Sequence, residues 1–452
     1  MKNMRVALSL VGALIVLVPA LTTVQAAFGS TSQTSSGVAS GWHPELEVIR
    51  TLTRNSVAEE TRPVNTSENV HVFNNAYYAF DEGLVGDEAD AAVDRNVKYA
   101  AEHYVVNLVS WYNLLAYPDL ITRFHQYNAD TMIVMEYSSF SCAVEADDWY
   151  DDLDQNHDEW FLKDSDGNRI RWDGWPDHWF MDIGNPEYQD YWVGHMIAKA
   201  QDVAAGEDGW DAVYVGNAHT AMFGGVERNT TYATDADYEE AAYGHLANAH
   251  VQFQLVGIPI LINLAPSPSV YSYTEWAQLA EGVKIEHFVS SWSGYHSAEI
   301  WELQVGGLEE IGRAGKISDV YPKFRDDDFQ ARIYGLASYL LGKQGAHDFF
   351  CYQIHDRWTW WPPLWFPEWE TRIGHPIGDR YKAQGVWQRS YSKGKVLANP
   401  SSDAYVIDLG GAYQTLGGAI VTSLVLREHE GAILLLPPFR VPFRALLPIV
   451  MR

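Results

Sequence analysis

Cysteine is almost missing: 452 residues carry two, Cys142 and Cys351. That is too few for a disulfide framework, though the two could form one bridge in an oxidising compartment or sit apart as small buried hydrophobes. Basic residues are scarce as well. Against 59 acidic residues stand 31 basic ones, a net charge of −28. With no Lys/Arg cluster beyond the first residues, nucleic acid and anionic membrane are poor partners. The charge suits a soluble protein that repels its own copies, including one living in high salt. Reactive motifs are absent too. There is no HExxH, no paired CxxC, no GxSxG and no GxGxxG after the first strand, so zinc, serine-nucleophile and dinucleotide chemistry lose their usual signatures. No metal and no cofactor is expected.

Long apolar runs are lacking except at the start, which reads "MKNMRVALSLVGALIVLVPALTTVQAAF". Lys2 and Arg5 precede an apolar stretch from Val6 to Leu21, and small residues follow at Val24 and Ala26. This is the tripartite form of a secretory signal cleaved after Ala26 or Ala27. A membrane anchor is the alternative, but Pro19 and the polar "TTVQ" make the run short for a span. The expected location is extracellular, with attachment to the cell surface left open, and no span remains after cleavage. Asn65 and Asn229 fit the glycosylation sequon.

Residues 28–66 form a Ser/Thr/Gly-rich tether and N-terminal extension. From residue 67 to 384, short β-rich runs alternate with helical periodicity. The runs are 70–75, 104–111, 131–138, 211–217, 258–264, 282–289, 317–324 and 347–354. Eight strands, each followed by a crossover, predict a (β/α)8 TIM barrel in the α/β class. The crossover at 139–210 is far too long, and within it "EWFLKDSDGNRIRW" predicts a hairpin turning at Asp166-Gly167. A calcium loop is the alternative for "DSDGN", but the closing Glu of an EF-hand is missing. Residues 385–437 alternate polar and apolar with Gly and Asn-Pro turns, which predicts a small C-terminal antiparallel β-sandwich-like domain. The apolar, basic tail 438–452 has no assigned role.

Aromatic residues make up 13% of the chain, and "DRWTWWPPLWFPEWE" (356–370) holds five of its 18 tryptophans. Three prolines keep this stretch from being regular helix or central strand. Sugar rings stack their C–H faces on aromatic planes while hydroxyls bond to polar neighbours, so Trp358, Trp360, Trp361 and Trp292, with Asp356, are candidates to line a saccharide cleft. Trp160, Trp172, Trp175 and Trp179 in the long crossover join them. In a barrel the reactive groups belong at strand C-termini. There stand Glu136 after strand three, Asn217 and His219 after strand four, Asn263 in strand five, and Glu286-His287 after strand six. Asp182 lies in the long crossover, before a helix that starts at or just after Pro186. Glycosidic cleavage needs a carboxylic acid and a second carboxylate, and Glu286, Asp182 and Glu136 are the candidates. Asn217, Asn263 and His287 would position hydroxyls. Each carboxylate could instead be an Arg partner or a helix cap, and each tryptophan a core residue.

The ordered segments "EWFLKDSDG", "DIGNPEYQDYW", "GWDAVYVGN", "ILINL", "EGVKIEHF" and "YGLASYLLGKQGAHDFF", continued by "RIGHPIGDRYKAQGVWQRSYSKGKVLANPS", resemble hypothetical glycosyl hydrolase family fifteen. The resemblance spans about residues 70–437 and implies a barrel followed by a β domain, with carbohydrate hydrolysis as its activity. Related barrels, including polygalactosaminidase-like ones, commonly read "DGVFLDN" at strand four. Here Gly216 stands where the last Asp would be. Either the acid comes from Asp182 or Glu136, or the protein is a non-catalytic barrel that binds sugar without cutting it.

Overall fold

The structure, a computed structural model, describes residues 70, 72–74, 87–144, 149–202, 206–291, 293–325, 328–354 and 366–437. The expected signal segment, tether and C-terminal tail lie outside them. Among the described residues, no helix is long and apolar enough to cross a membrane.

Eight parallel strands lie side by side in chain order: β1 (Phe73–Asn74), β2 (Val106–Ser110), β3 (Met132–Ser138), β4 (Ala212–His219), β5 (Ile260–Ala265), β6 (Gly282–Glu286), β7 (Ile317–Tyr321) and β8 (Asp348–Phe350). Val72 bridges back to Phe350 in parallel, and the sheet closes on itself. The expected (β/α)8 barrel is present, and each of the eight apolar runs overlaps its strand, β4 extending two residues and β5 one residue beyond its run. The runs are apolar because these strands are buried on both faces. Val106, Leu108, Met132, Val134, Ala212, Tyr214, Leu261, Ile317 and Phe349 form one cluster inside the barrel. The alternate residues, such as Ile133, Val213, Val283 and Ile285, pack outward under the helices. By the same alternation Lys284 and Asp319 point inward, where they pair at 3.0 Å with almost no exposure.

Helices α1 (Asp87–His103) and α2 (Leu120–Tyr127) precede the long crossover, and the main helices after it begin where the sequence caps them. In α3 (Pro186–Gln201), Asn185 accepts from the amides of Glu187 and Tyr188, and Pro186 takes the first turn where no amide is needed. Thr234 and Asp237 make a reciprocal capping box on α4 (Asp235–Leu255). Ser297 caps α5 (Ala298–Arg313), and Asp328 caps α6 (Phe329–Gly342).

The long crossover after β3 folds into a three-stranded antiparallel sheet, with Trp175–Phe180 between Ser141–Ala143 and Arg171–Trp172. Its hairpin is the expected one. Lys163 bridges Arg169, Gly167 has φ 83°, and Asp164 Oδ1 accepts from the amides of Asp166 and Asn168, each at 2.9 Å. "DSDGN" is therefore an Asx-stabilised turn whose first carboxylate is engaged by its own backbone.

The C-terminal part is a six-stranded antiparallel sheet, β9 (Pro376–Ala383), β10 (Val386–Tyr391), β11 (Gly394–Asn399), β12 (Tyr405–Thr415), β13 (Ile420–Leu426) and β14 (Glu430–Leu435), in the order β9-β10-β11-β14-β12-β13. Its first strand lies on the barrel side of residue 385. Gln384 and Gly385, both with positive φ, are the β9–β10 hairpin turn rather than a linker. One face, with Val396, Ala398 and Ile433, joins the barrel's outer core. The other buries Leu397, Leu434, Ile407, Leu409 and Leu426 beneath the β12–β13 hairpin, which meets β14 only through Gln414 and Thr415. Arg389 fixes the junction by donating to the carbonyls of Leu341 (2.9 Å) and Lys343 at the end of α6. A cation there answers the unsatisfied carbonyls and the negative helix terminus.

One core residue makes the fold acid-sensitive. His245 of α4 is fully buried among Phe140, Tyr188 and Trp192, and neither ring nitrogen has a hydrogen-bond partner among the described residues. Burial pushes its pKa from 6.5 down to about 3. Between those values the unfolded chain binds a proton that the native state refuses. Stability should therefore fall by about 1.4 kcal/mol per pH unit on this account as pH drops below the unfolded value. Denaturant titrations of His245→Phe from pH 6 to 4 should show a shallower pH slope, by about one proton. An unchanged slope would show that His245 is protonated in the native state.

Candidate active site

The barrel mouth gathers polar side chains from consecutive strand ends. Glu286, the last residue of β6, is held from three sides. Asn263 Nδ2 of β5 donates to its Oε2 at 2.7 Å. Lys323 Nζ, two residues beyond β7, donates to its Oε1 at 3.0 Å. His287 Nε2 lies 3.3 Å from Oε1 and 2.6 Å from Lys323 Nζ. Lys323 is 4% exposed, so its charge reaches Glu286 with little screening by water. Burial alone would raise the Glu286 pKa, but the Lys323 ammonium, helped by the neighbouring His287 and Tyr321, holds it well below the usual carboxylate range. Lys323 is lowered in its turn by burial, a shift that Glu286 opposes and Lys284 reinforces.

Glu136, in β3, has the opposite environment. Burial pushes its carboxyl well above the ordinary range; Lys284 works against that and the negative charge of Glu286 adds to it. Gly216 of β4 explains how it fits. A Cβ at residue 216 would lie 2.9 Å from Glu136 Oε1. The space beside the β4 backbone, where related barrels place an Asp, is filled by the Glu136 carboxyl reaching over from the next strand. Asn217 follows with φ 54° at a register shift between β4 and β5. Such a bulge bends the strand end and re-aims what it carries.

His219, at the end of β4, is 1% exposed, and burial takes its pKa to about 3 against the pull of Glu286. Its ring touches Phe140, Phe180, Phe223 and Trp172. The crossover sheet thus borders this end of the barrel. It is tied to the loop after β4, where Asp173 N donates to the Gly224 carbonyl at 2.7 Å and Arg228 pairs with Asp173 at 2.9 Å.

Glu136, Asn263, Glu286 and His287 come together as the sequence suggested. Asp182 is engaged elsewhere: its Oδ1 accepts from the Tyr232 hydroxyl and the Gly184 amide, in the turn that leads into α3. The tryptophans divide. Trp160 is buried and stacks on His157 at 3.6 Å, and Trp369 is buried against Tyr352 and Phe366. Trp179 lies under the Arg171 guanidinium, Trp172 is half-buried against His219, and Trp175 is 41% exposed. Trp292, Trp358, Trp360, Trp361 and Asp356 lie outside the described residues. Lys323 and Tyr321 escaped sequence reasoning. The one available signal was a lone lysine inside the apolar "DVYPKF" of a strongly acidic chain. Cys142 and Cys351 are both buried thiols and no disulfide joins them.

The model of hypothetical glycosyl hydrolase family 15 matches residues 112–395. The chain belongs to that family. The match begins after β2 and ends at the start of β11, so it takes in both carboxylates, Lys323 and the first strands of the β domain. Family 15 membership carries a glycoside-hydrolase-type fold with it. Among solved structures, the chain is similar to the glycoside hydrolase domain of PelA from Pseudomonas aeruginosa, at 12% identity and a TM-score of 0.38, covering 62% of this chain and 98% of that one. It is also similar to the native debranching enzyme of Nostoc punctiforme, at 12% identity and a TM-score of 0.44, covering 84% and 100%. No curated protein matches the chain.

If the Lys323 charge holds Glu286 ionised, Lys323→Met should lower kcat/KM on a cleaved glycoside by about tenfold or more and move the acidic limb of its pH profile upward. Lys323→Arg should recover part of the loss. A profile with an unmoved limb would show that the ammonium does not set the carboxylate's charge.

Proposed function

We propose that the chain is a glycoside hydrolase in which Glu136 is the general acid and Glu286 the ionised partner. What carries the reading is the contrast between two carboxyl groups in one barrel mouth, one pushed up by burial and the other held down by a buried ammonium. Environments that separate two carboxyls in this way divide the labour of glycosidic cleavage. Glu136 would give its proton to the leaving oxygen. Glu286 would meet the anomeric carbon as nucleophile, or take a proton from the water that attacks it. Asn263 keeps the Glu286 carboxylate oriented, and the half-exposed indoles of the crossover offer flat faces to a poly- or oligosaccharide. Asp182, bound to Tyr232, is left with a structural part.

The non-catalytic alternative is motivated by Gly216 and by the surplus of tryptophans. The Glu136 carboxyl beside that glycine supports the hydrolase instead, because a carboxyl group remains where the Asp would have reached. The proposal includes export. With residues 1–27 removed the enzyme would act outside the cell, and N-terminal sequencing of the mature protein should begin near Phe28.

The assignment separates two variants. Glu286→Gln should cost about a thousandfold or more in kcat on every substrate. Glu136→Gln should cost about a hundredfold or more when the leaving group is a sugar alcohol, and much less for an aryl glycoside whose leaving group needs no proton. Gly216→Ala should lower the rate in the same leaving-group-dependent direction, by less than Glu136→Gln, since the added methyl forces that carboxyl to shift. Equal losses on both substrate types for Glu136→Gln would remove it from the acid's place.

A further inference from the structure

The loop after β6 turns back on itself immediately beyond Glu286. His287 and Val289 both have φ 56°, and for a β-branched valine this is a strained backbone. Such a turn persists only when its surroundings over-determine it. Here they do. Val289 N donates to Gln304 Oε1 at 2.7 Å, while Gln304 Nε2 (3.3 Å) and His296 Nε2 (2.7 Å) both donate to the His287 carbonyl. His296 N donates to the Val289 carbonyl at 3.1 Å. Ser290 Oγ donates to the carbonyl of Lys323 at 2.9 Å, so the same loop fixes the cation as well as the carboxylate. Ser290–Ser291 pairs with Gly294–Tyr295, making Tyr295 and His296 the returning arm of a small hairpin.

That returning arm is held by the C-terminal sheet. The Tyr295 ring lies flat on His429, with centroids 4.3 Å apart and planes 16° from parallel. Tyr334 of α6 packs edge-on against both, at 5.5 and 5.7 Å. His429 sits in the β13–β14 turn with φ 52°, where its amide donates to the Asn399 carbonyl at 3.0 Å. Gln330 Nε2 of α6 donates to the carbonyls of Glu428 and His429, both at 3.2 Å. A continuous set of contacts therefore runs from the β domain to Glu286, by way of His429, Tyr295, His296 and His287.

We propose that the β domain is a working part of the active site, and that His429 is a positioning residue which, through Tyr295 and His296, holds the left-handed His287–Val289 turn and with it Glu286 and Lys323. The inference rests on the reading of Glu286 as a catalytic carboxylate, but its structural half can be read without any substrate. His429 touches no reacting atom. It acts by removing alternative conformations of a loop that would otherwise relax.

The test uses the full chain and two readouts: hydrogen exchange of the 287–296 amides, and hydrolysis of an aryl glycoside that the wild type cleaves. His429→Ala should speed exchange of that segment by about tenfold and lower kcat by a similar factor. KM should stay within about twofold, and the thermal midpoint within about 2 °C. His429→Phe, which keeps a flat ring on Tyr295, should restore both readouts. If exchange and kcat are unchanged in His429→Ala, the brace does not exist. If the wild type cleaves no glycoside, the hydrolase reading fails, and exchange alone still decides the brace. Should His429→Ala fail to fold, Tyr295→Leu removes the same stack from the barrel side, and slow exchange of 287–296 in that variant would overturn the proposal.

Discussion

A carboxylate buried in a barrel mouth stays charged when a cation is buried with it. Lys323 meets that condition for Glu286, and much of the site follows from it. Burying an ammonium is costly unless its donors are used, and Glu286 and His287 both stand within hydrogen-bond reach of its Nζ. The pair cannot drift without leaving a buried charge alone, so the ends of β6 and β7 are locked in register above the Lys284–Asp319 pair. The same negative charge on Glu286 helps keep Glu136 protonated. One ion pair thus holds Glu286 ionised and adds to the burial that raises Glu136.

The barrel was legible because its strands are buried on both faces, which writes eight short apolar runs into the sequence. The strand-end filter picked out Glu136, Asn263, Glu286 and His287, and these side chains do meet at one end of the barrel. Lys323 was not legible. It lies past its strand, after Pro322, and nothing in the local pattern says that its head group turns inward to a residue 37 positions earlier. Asp182 is ambiguous for a related reason. A lone Asp before a helix reads equally as a catalyst or as part of a turn, and the sequence does not show its bond to Tyr232, 50 residues on. The alternation was read from residue 385 onward, whereas Gln384-Gly385 is a hairpin turn already inside the sheet.

The tryptophans show the limit of composition as a guide. Their number suggested a sugar-lined rim, yet Trp149, Trp160, Trp192, Trp276, Trp301 and Trp369 are all buried. An indole is the largest block with which to fill a layer between helices and strands; Trp192 and Trp301 also satisfy its donor, whereas Trp149, Trp160 and Trp276 bury theirs without a partner among the described residues. What the crossover sheet adds is different. Trp172 stands half-buried between His219 of the barrel and Trp175 at the surface, so that layer is joined to the barrel by aromatic contact rather than by strand pairing.

Gly216 is where family resemblance and geometry diverge most usefully. Losing an acid at one strand end would disable a two-carboxylate site if carboxyl positions belonged to strands. They belong to points in space. With no side chain at residue 216, the Glu136 carboxyl can occupy the gap from the neighbouring strand, and a Cβ at 216 would force it to shift. The glycine and the glutamate are therefore one feature, and a strand-by-strand alignment that scores Gly216 as a lost acid counts half of it. The same logic extends to the loop after β6, whose left-handed residues no local propensity favours. They hold their shape because partners in α5 and in the C-terminal sheet leave them no other.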